Sequence, residues 1–396
     1  MNALVVERSL ARFAAARAAS AFGAAPGSGP SPLRLVDLVP PEPPAPGWAR
    51  LRPSLSGICG SDLATLSGRS SRWFEPVVSF PFVPGHEVVG TLDGGRRAVL
   101  EPVLGCRARG VEPPCHACER GMIGSCERLS SGRLSAGLQT GYCADTGGGW
   151  SGELVAHESQ LHPVPEQLDD EAAVMVEPAA CAVHAALAAR VGEGEVVVVL
   201  GAGTLGLCTV AALRQLALPG VLVAVAKHPH QRRLAADLGA DVVAEPGELR
   251  RAVRRVTRSL AVADRLSGGA DALVDCVGSA TSLTDALAVT RPRGRVVLAG
   301  MPGPLRVDLT PLWQREIALT GAYTYGAEPL PEGSRRTFDL AFEVVAAARL
   351  GRLVSARYPL ERYEEALGLA ASAGRRGAVK VVFEPGARRR PARREL

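Results

Sequence analysis

Residues 195–206, EVVVVLGAGTLG, decide how this chain folds. The run 195–200 is short, apolar and rich in valine, which is typical of a strand buried in a parallel sheet. The glycines that follow have the spacing G-x-G-x-x-G and lie between this strand and an apolar helical stretch over 205–216. In this context of strand, turn and helix, the spacing indicates a dinucleotide-binding turn.

Each glycine of the turn has its own reason to lack a side chain. Gly201 permits the tight turn, Gly203 lets the backbone approach a pyrophosphate, and Gly206 allows close packing of helix on strand. Thr204 and Leu205 begin the helix, whose free backbone N–H groups attract phosphate. We therefore assign these five residues to the cofactor site.

The second strand of this unit, expected over 221–226, ends without the acidic residue that binds the ribose hydroxyls of NAD. Lys227 and His228 follow it, and Arg232 lies on the next helix. Cationic groups at this place favour the additional phosphate of NADP. The chain has only two lysines, and Lys227 is one of them. We expect NADP more than NAD, with a surface lysine placed by chance as the alternative.

Strands and helices alternate through this half of the chain, with further strands expected over 272–277 and 295–299. Such alternation predicts an α/β fold with a parallel sheet. The preceding half differs, because its short β-type runs are broken by clusters of proline and glycine, which predicts a compact, mostly β unit. With 396 residues, the chain is also longer than one hydrophobic core usually serves.

Upstream, the segments 57–62 (GICGSD) and 84–87 (PGHE) supply a cysteine, a histidine and carboxylates. These are the ligands of a zinc site that keeps one position open for chemistry. Either segment alone is weak evidence, because a lone Cys59 or His86 is more often an ordinary buried residue. Together with a dinucleotide turn in the same chain, they point to a zinc-dependent oxidoreductase.

A second metal site is expected in the loop 106–126, which carries Cys106, Cys115, Cys118 and Cys126. Four thiolates around one zinc form a closed structural site without an open position. A Cys-x2-Cys pair with a third cysteine downstream is a strong signal for such a site. Free thiols are the alternative.

These motifs occur in the order found in the medium-chain, zinc-dependent alcohol dehydrogenase superfamily, which the chain resembles over nearly its whole length. The likeness includes Glu177-Pro178 and is greatest to the polyol, sugar and threonine dehydrogenase branches. It implies a doubly wound Rossmann sheet in an α/β fold and a mostly β, GroES-like catalytic domain. The implied divisions are 1–165 (GroES-like, with the cysteine loop), 166–322 (Rossmann) and 323–385 (return to the catalytic domain). The resemblance leaves out an insertion over 8–31 and the segment 386–396, whose arginines predict a disordered basic tail.

By this resemblance, Cys59 and His86 are ligands of the catalytic zinc. At the place of the third ligand the polyol-type branch has Glu-Pro, which matches Glu177, whereas Cys181 is a rival one helical turn further on. Carboxylate is a competent zinc ligand, so we prefer Glu177. Glu87 is expected either to support the ligands from outside or to act as an exchangeable ligand.

The resemblance also implies a proton relay. Ser61 resembles the hydroxyl at which the relay of the family begins, and Asp62 the buried carboxylate that orients the site. Many relatives carry a histidine five residues after the cysteine, where this chain has Ala64. Water, the cofactor ribose or another side chain such as His184 has to replace it, although a packed helix histidine is the simpler interpretation of His184.

For the cofactor, Val277 follows a sheet strand at the edge where α/β folds bind ligands. Lys380 matches the position of a basic residue that contacts the pyrophosphate in the family. In the cysteine loop, the family places the first ligand three residues before the second, where this chain has Glu112, so Cys106 has to reach back from further upstream. The implied cofactors are one catalytic Zn²⁺, one structural Zn²⁺ and NADP or NAD.

Composition and charge exclude other classes of protein. No apolar run approaches the roughly 18 residues that cross a bilayer, which argues against a membrane protein. Nine cysteines, an odd number, favour reduced thiols and a cytoplasmic location. Most of the net charge of +5 falls on 386–396, which holds five arginines and one glutamate, and nucleic-acid binding through this tail is not expected.

The sequence thus predicts a zinc-dependent, NAD(P)-linked oxidoreductase that interconverts a secondary alcohol, of polyol, sugar or cyclitol type, with its ketone. By resemblance, we expect a homodimer or homotetramer. One alternative is a zinc-independent quinone or enone reductase of the same superfamily, but such enzymes lack the pair Cys59 and His86. The other is a noncatalytic dinucleotide- or nucleic-acid-binding protein.

Overall fold

The computed structural model of the protein describes residues 1–29, 31–263, 265–331 and 333–386. Apart from its first residue, the tail predicted over 386–396 lies outside them. Two large sheets organise the described residues, one of seven strands and one of six. They confirm the predicted fold class, a Rossmann-type α/β unit joined to a mostly β unit. No helix in the described ranges is long and apolar enough to cross a membrane.

The first unit is built on a mostly antiparallel sheet. The strands of the unit are β1 Asn2–Val6, β2 Leu33–Asp37, β3 Trp48–Gly57, β4 Val88–Leu92, β5 Arg97–Leu100, β6 Leu154–His157 and β7 Leu161–Pro163, of which β1 and β2 pair in a separate two-stranded sheet. Its helices are α1 Leu10–Ala21, α2 Gly60–Leu66, α3 Cys106–Arg109 and α4 His116–Glu119. The long strand β3 pairs with both β4 and β6. Because β3 ends at Gly57, this sheet delivers the first zinc motif.

The second unit is a layered α/β structure. Its strands are β8 Val196–Leu200, β9 Val221–Val225, β10 Val242–Ala244, β11 Ala261–Val262, β12 Arg265–Leu266, β13 Ala270–Asp275, β14 Thr290–Leu298 and β15 Ala318–Gly321. Its helices are α5 Asp170–Ala173, α6 Val176–Ala188, α7 Thr204–Ala212, α8 Pro229–Asp237, α9 Leu249–Thr257, α10 Ala280–Val289 and α11 Thr310–Gln314. The six-stranded sheet has the order β10-β9-β8-β13-β14-β15 with every pair parallel, which is the doubly wound order.

Strand β8 lies at the centre of this sheet because its valines are buried on both faces. Val197 and Val199 belong to one hydrophobic cluster, whereas Val198 and Leu200 belong to another. Alternate residues of a strand point to opposite faces, so helices cover both sides of β8. The glycine turn after Leu200 therefore opens at the carboxyl edge of the sheet.

The last part of the chain returns to the first sheet. Its elements are β16 Ala327–Leu330, β17 Gly333–Arg336, α12 Thr337–Ala348, β18 Val354–Tyr358, α13 Tyr363–Ala371 and β19 Lys380–Phe383. Strand β19 lies antiparallel beside the end of β3, where the N–H of Ile58 donates to the carbonyl oxygen of Val381 at 3.0 Å. This pairing brings Lys380 next to the segment 57–62.

Candidate active site and metal centres

Cys59 lies at the N-terminus of helix α2, directly after strand β3. The Asp62 carboxylate accepts a hydrogen bond from the backbone N–H of Cys59 at 2.9 Å and is only 2% exposed. Burial raises the pKa of Asp62, while the nearby His86 and this hydrogen bond oppose the rise. Asp62 therefore fixes the backbone that carries the thiol, as its predicted orienting role requires.

His86 reaches the same site from the turn before β4. Gly85 has φ +96°. A Cβ at this position would lie 2.4 Å from the Trp150 ring, so a side chain would not fit there. The Nδ1 atom of His86 lies 3.6 Å from Asp62 and has no hydrogen-bond partner among the described residues, although it is buried. Burial lowers the pKa of His86, but the Asp62 carboxylate and Cys59 outweigh this and raise it. An electronegative site around an imidazole suits a metal cation.

Cys59, His86 and Glu87 form a group whose ligand atoms all lie within 4.8 Å of one another. The predicted ligand set contained Glu177 in place of Glu87, and Glu177 does not belong to this group. Glu87 joins it because it follows His86 directly in the chain at the start of β4. Glu87 is 2% exposed and pairs with the equally buried ammonium of Lys380. The donor set fits zinc with an open position.

Glu177 lies in the first turn of α6, 4% exposed. Its Oε1 atom accepts a hydrogen bond from the Tyr325 hydroxyl at 3.0 Å and another from the Cys181 thiol at 3.7 Å. Burial raises the pKa of Glu177 to about 7, although the nearby His86 opposes the rise. Burial likewise raises the pKa of the rival ligand Cys181 well above its usual range.

A row of hydroxyl groups lies behind the zinc motif. The Tyr142 hydroxyl donates to Asp62 at 3.4 Å and lies 3.5 Å from the Thr65 hydroxyl, which is itself 2.9 Å from that of Ser70. Sequence analysis missed Tyr142, because nothing in its local sequence links it to a residue 80 positions earlier. His184, in contrast, is held by Glu328 at 2.7 Å, as expected of a packed helix histidine.

The four cysteines of the loop 106–126 converge. All four sulfur atoms lie within 4.8 Å of one another, and the Sγ atoms of Cys106 and Cys126 are 3.8 Å apart. Cys106, displaced in sequence, also accepts from the backbone N–H of Cys115 at 3.3 Å. Burial opposes ionisation of Cys115, but hydrogen bonds, first from the N–H of Glu127, lower its pKa to about 7. Four cysteine sulfur atoms so close together match the ligand set of a structural zinc.

The glycine turn has the geometry of a dinucleotide cradle. Gly201 has φ +89°, and a Cβ at Gly206 would lie 1.8 Å from the Gly201 carbonyl oxygen. A Cβ at Gly203 would meet nothing within 4 Å, so the space above it is free for a pyrophosphate. Val277 is 49% exposed at the same edge, and the Thr204 hydroxyl donates to the carbonyl oxygen of Val379 at 3.4 Å.

Lys380 follows Val379, the residue that accepts from Thr204, but its side chain points towards the candidate metal ligand Glu87. Its ammonium group donates to Glu87 and to the carbonyl oxygen of Ile58, the latter at 3.3 Å. This differs from the predicted contact with the pyrophosphate, because the buried Glu87 carboxylate draws the ammonium inwards. The residue thereby links the predicted zinc motif to the strand beside the cofactor edge.

The basic residues after β9 are placed unequally. Lys227 is exposed, whereas Arg232 pairs with Glu245 at 2.9 Å and donates to the carbonyl oxygen of Ala226 at 3.0 Å. Slight desolvation and then the neighbouring cations, Lys227 among them, lower the pKa of His228. Positive charge therefore concentrates around His228 and Lys227, where the predicted phosphate of NADP would bind.

Two families match the sequence: "Zinc-binding dehydrogenase" over residues 204–348 and "Alcohol dehydrogenase GroES-like domain" over residues 45–166. A sorbitol dehydrogenase of Arabidopsis thaliana is 28% identical over 352 residues, covering 85% of this chain and 88% of the relative. An L-idonate 5-dehydrogenase of Vitis vinifera is 27% identical over 354 residues, covering 84% and 87%.

Solved structures share the fold. Galactitol-1-phosphate dehydrogenase from Escherichia coli superposes with a TM-score of 0.71 at 20% identity, covering 97% of this chain and 100% of that chain. A putative zinc-binding dehydrogenase from Sinorhizobium meliloti 1021, bound to NADP, gives a TM-score of 0.68 at 24% identity, covering 89% and 95%. The two family matches, the doubly wound sheet and the relatives that match most of its length agree: the chain belongs to the medium-chain, zinc-dependent alcohol dehydrogenase superfamily.

Proposed function

We propose that this protein is a zinc-dependent, NAD(P)-linked dehydrogenase that interconverts a secondary alcohol of the polyol, sugar or cyclitol type with its ketone. The observation that carries the proposal is the group of half-buried Cys59 with buried His86 and Glu87 beside the dinucleotide edge. Relatives named sorbitol dehydrogenase and L-idonate 5-dehydrogenase support the substrate class.

Cys59, His86 and Glu87 would hold the catalytic zinc, with Glu177 beside them. A bound zinc supplies a Lewis acid that lowers the pKa of an alcohol and polarises a ketone. The surrounding residues orient its ligands: Asp62 fixes the backbone of Cys59 and faces the imidazole of His86. Asp62 thus positions the zinc ligands Cys59 and His86, and Glu87 supplies a further ligand.

The proton leaves by a route that does not use a histidine. Ser61 begins it, as in the family, and its hydroxyl is hydrogen-bonded to that of Tyr142. The hydroxyls of Thr65 and Ser70 continue the route, since Thr65 lies within hydrogen-bond reach of both Tyr142 and Ser70. Hydroxyl groups transfer protons by accepting one while donating another. This row of hydroxyls takes the place of the histidine that Ala64 replaces.

We further propose NADP as the preferred cofactor. The exposed Lys227 and the positive charge around His228 support the additional phosphate, whereas Arg232 is already engaged by Glu245. The cofactor itself supplies and accepts the hydride. Gly201, Gly203 and Gly206 would leave room for its pyrophosphate at the N-terminus of α7.

The remaining proposals concern the whole molecule. The cysteine loop would hold a structural zinc.

Edge strand β15 is exposed along its length, and Trp313 nearby is 78% exposed. These exposed edges support a homodimer in which β15 of one copy pairs with β15 of the other. The free cysteines support a cytoplasmic location. The return of β19 to the sheet of β3 supports the division of the chain at residues 165, 322 and 385.

The test is an absorbance screen at about 340 nm of purified protein with NAD and with NADP, against polyols, sugars, cyclitols and simple alcohols. Metal analysis of the same preparation is expected to give two zinc ions per chain. Turnover of a polyol with NADP supports the proposal. Protein without zinc that reduces quinones, or protein that binds the cofactor without any turnover, overturns it.

A further inference from the structure

A short turn contacts both the cysteine loop and the candidate active site, and none of the roles proposed above uses it. The turn consists of Tyr323, Thr324 and Tyr325 and connects β15 to the β16–β17 hairpin. Tyr325 is 2% exposed, and its hydroxyl donates to Glu177 at 3.0 Å although the two residues are 148 positions apart. This hydrogen bond holds one oxygen of the Glu177 carboxylate, which lies beside the group of Cys59, His86 and Glu87.

The backbone of the turn is strained at its centre. Thr324 has φ +53°, a left-handed conformation that costs a β-branched residue free energy. Its buried hydroxyl also has no hydrogen-bond partner among the described residues. Neighbouring structure must therefore hold the turn, since neither its backbone nor its side chain favours this conformation.

The holding contacts come from the cysteine loop. The N–H of Gly124 donates to the carbonyl oxygen of Tyr325 at 3.3 Å, and the N–H of Ala327 donates to that of Gly121 at 3.0 Å. An ideal Cβ at Gly124 would lie 1.9 Å from the Thr324 hydroxyl. The two segments are thus in contact only because position 124 has no side chain, and Gly124 lies two residues before the zinc-motif cysteine Cys126.

On the opposite side, the Tyr325 ring is fixed by packing. It makes an edge contact with the Phe338 ring at a centroid distance of 5.0 Å, and the Gly326 N–H donates to the Thr337 hydroxyl at 3.0 Å. A ring held by Phe338 on one side and a main chain held by Gly124 on the other leave the Tyr325 hydroxyl little freedom. The hydroxyl therefore holds the Glu177 carboxylate in one orientation through its hydrogen bond.

We propose that Tyr325 is a positioning residue for Glu177, and that the contact between Gly124 and Thr324 sets its place, so that the cysteine loop controls the geometry of the catalytic metal centre. This inference rests on the proposed function, because it requires a metal held beside Glu177. It gives the cysteine loop a second role besides stability.

The first test is Tyr325→Phe, compared with Tyr363→Phe, which removes a hydroxyl bonded to Glu364 on α13. We expect Tyr325→Phe to lower kcat about tenfold with little change in the KM for the cofactor, as for the loss of one hydrogen bond to a carboxylate. We also expect a shift of the visible absorption bands when Co²⁺ replaces the catalytic zinc. Unchanged bands and kcat in Tyr325→Phe overturn the positioning role.

The second test is a rescue that leaves every cysteine in place. Gly124→Ala would push its methyl group into the Thr324 hydroxyl, so we expect the same spectral shift and a similar loss of kcat. Thr324→Gly removes that hydroxyl and tolerates the left-handed backbone, so the double variant should regain most of the wild-type spectrum. A double variant no better than Gly124→Ala overturns the coupling. Wild-type protein that binds no Co²⁺ at Cys59 overturns the proposed function, and this inference with it.

Discussion

The two predicted metal centres are assembled in different ways. All four cysteines of the structural centre come from the one segment 106–126, whereas the catalytic centre takes Cys59 from the end of β3 and His86 and Glu87 from the turn before β4. Glu177 approaches this group from a third segment, helix α6. The first set is all thiolate and closed, and the second mixes thiolate, imidazole and carboxylate and leaves a position open. A contiguous centre depends on its own loop, and a dispersed centre depends on the whole fold.

The largest effect is expected when the dispersed centre loses its thiolate. Cys59→Ser should reduce kcat/KM by at least about 10³-fold, because the Lewis acid is lost while the fold and the cysteine loop remain. Metal analysis should fall from two zinc ions to one. Two retained zinc ions together with a large loss of activity would contradict the assignment of Cys59 as a ligand.

Breaking the contiguous centre should act on stability first. Cys118→Ser should lower the free energy of unfolding by about 3 kcal/mol, because a structural zinc contributes its binding energy to folding. Thermal unfolding measures the change. The matched control is Cys143→Ser, whose buried sulfur lies 3.6 Å from the Ser135 carbonyl oxygen and outside the cysteine group. Equal loss in both variants would argue against a metal in the loop.

A third comparison separates the two carboxylates of the dispersed centre. Glu87→Gln should lower activity about 100-fold and weaken zinc binding, because it removes a ligand and leaves the buried Lys380 ammonium without its counter-charge. Glu177→Gln should lower activity only about tenfold, and this variant should retain the catalytic zinc. Chelator competition and steady-state kinetics distinguish them. The reverse order of effects would restore Glu177 as the third ligand.

The smallest change leaves both centres intact. Lys227→Ala should reduce the preference of kcat/KM for NADP over NAD by about tenfold, since it removes one charge-assisted contact with the phosphate. Zinc content and thermal stability should not change. A variant with the wild-type ratio of cofactor use would show that the lysine is an ordinary surface residue.

Sequence reasoning succeeded where the determining contacts are local. Strand β8, the glycine turn and α7 follow one another in the chain, so their periodicity and spacing contain the information. Cys106, although displaced from the family spacing, joins the cysteine group because the loop 106–126 is short enough to return. The fold class was therefore predictable.

The membership of the dispersed centre was not predictable in the same way. The pairing of Glu87 with Lys380 joins residues 293 positions apart, and the bond from Tyr325 to Glu177 spans 148. Tyr142 likewise lies far in sequence from Asp62. Such contacts depend on how β19, the hairpin and α6 pack in three dimensions, and no local period or spacing encodes them.

The burial of Lys380 has a practical consequence for labelling. Only Lys227 and Lys380 carry side-chain amines in the whole sequence, and Lys380 is 1% exposed and bound to Glu87. Of the two lysine side chains, an amine-reactive fluorophore should therefore attach to the folded protein at Lys227. One dye at that position would report the arrival of a nucleotide directly, without any mutation of the chain.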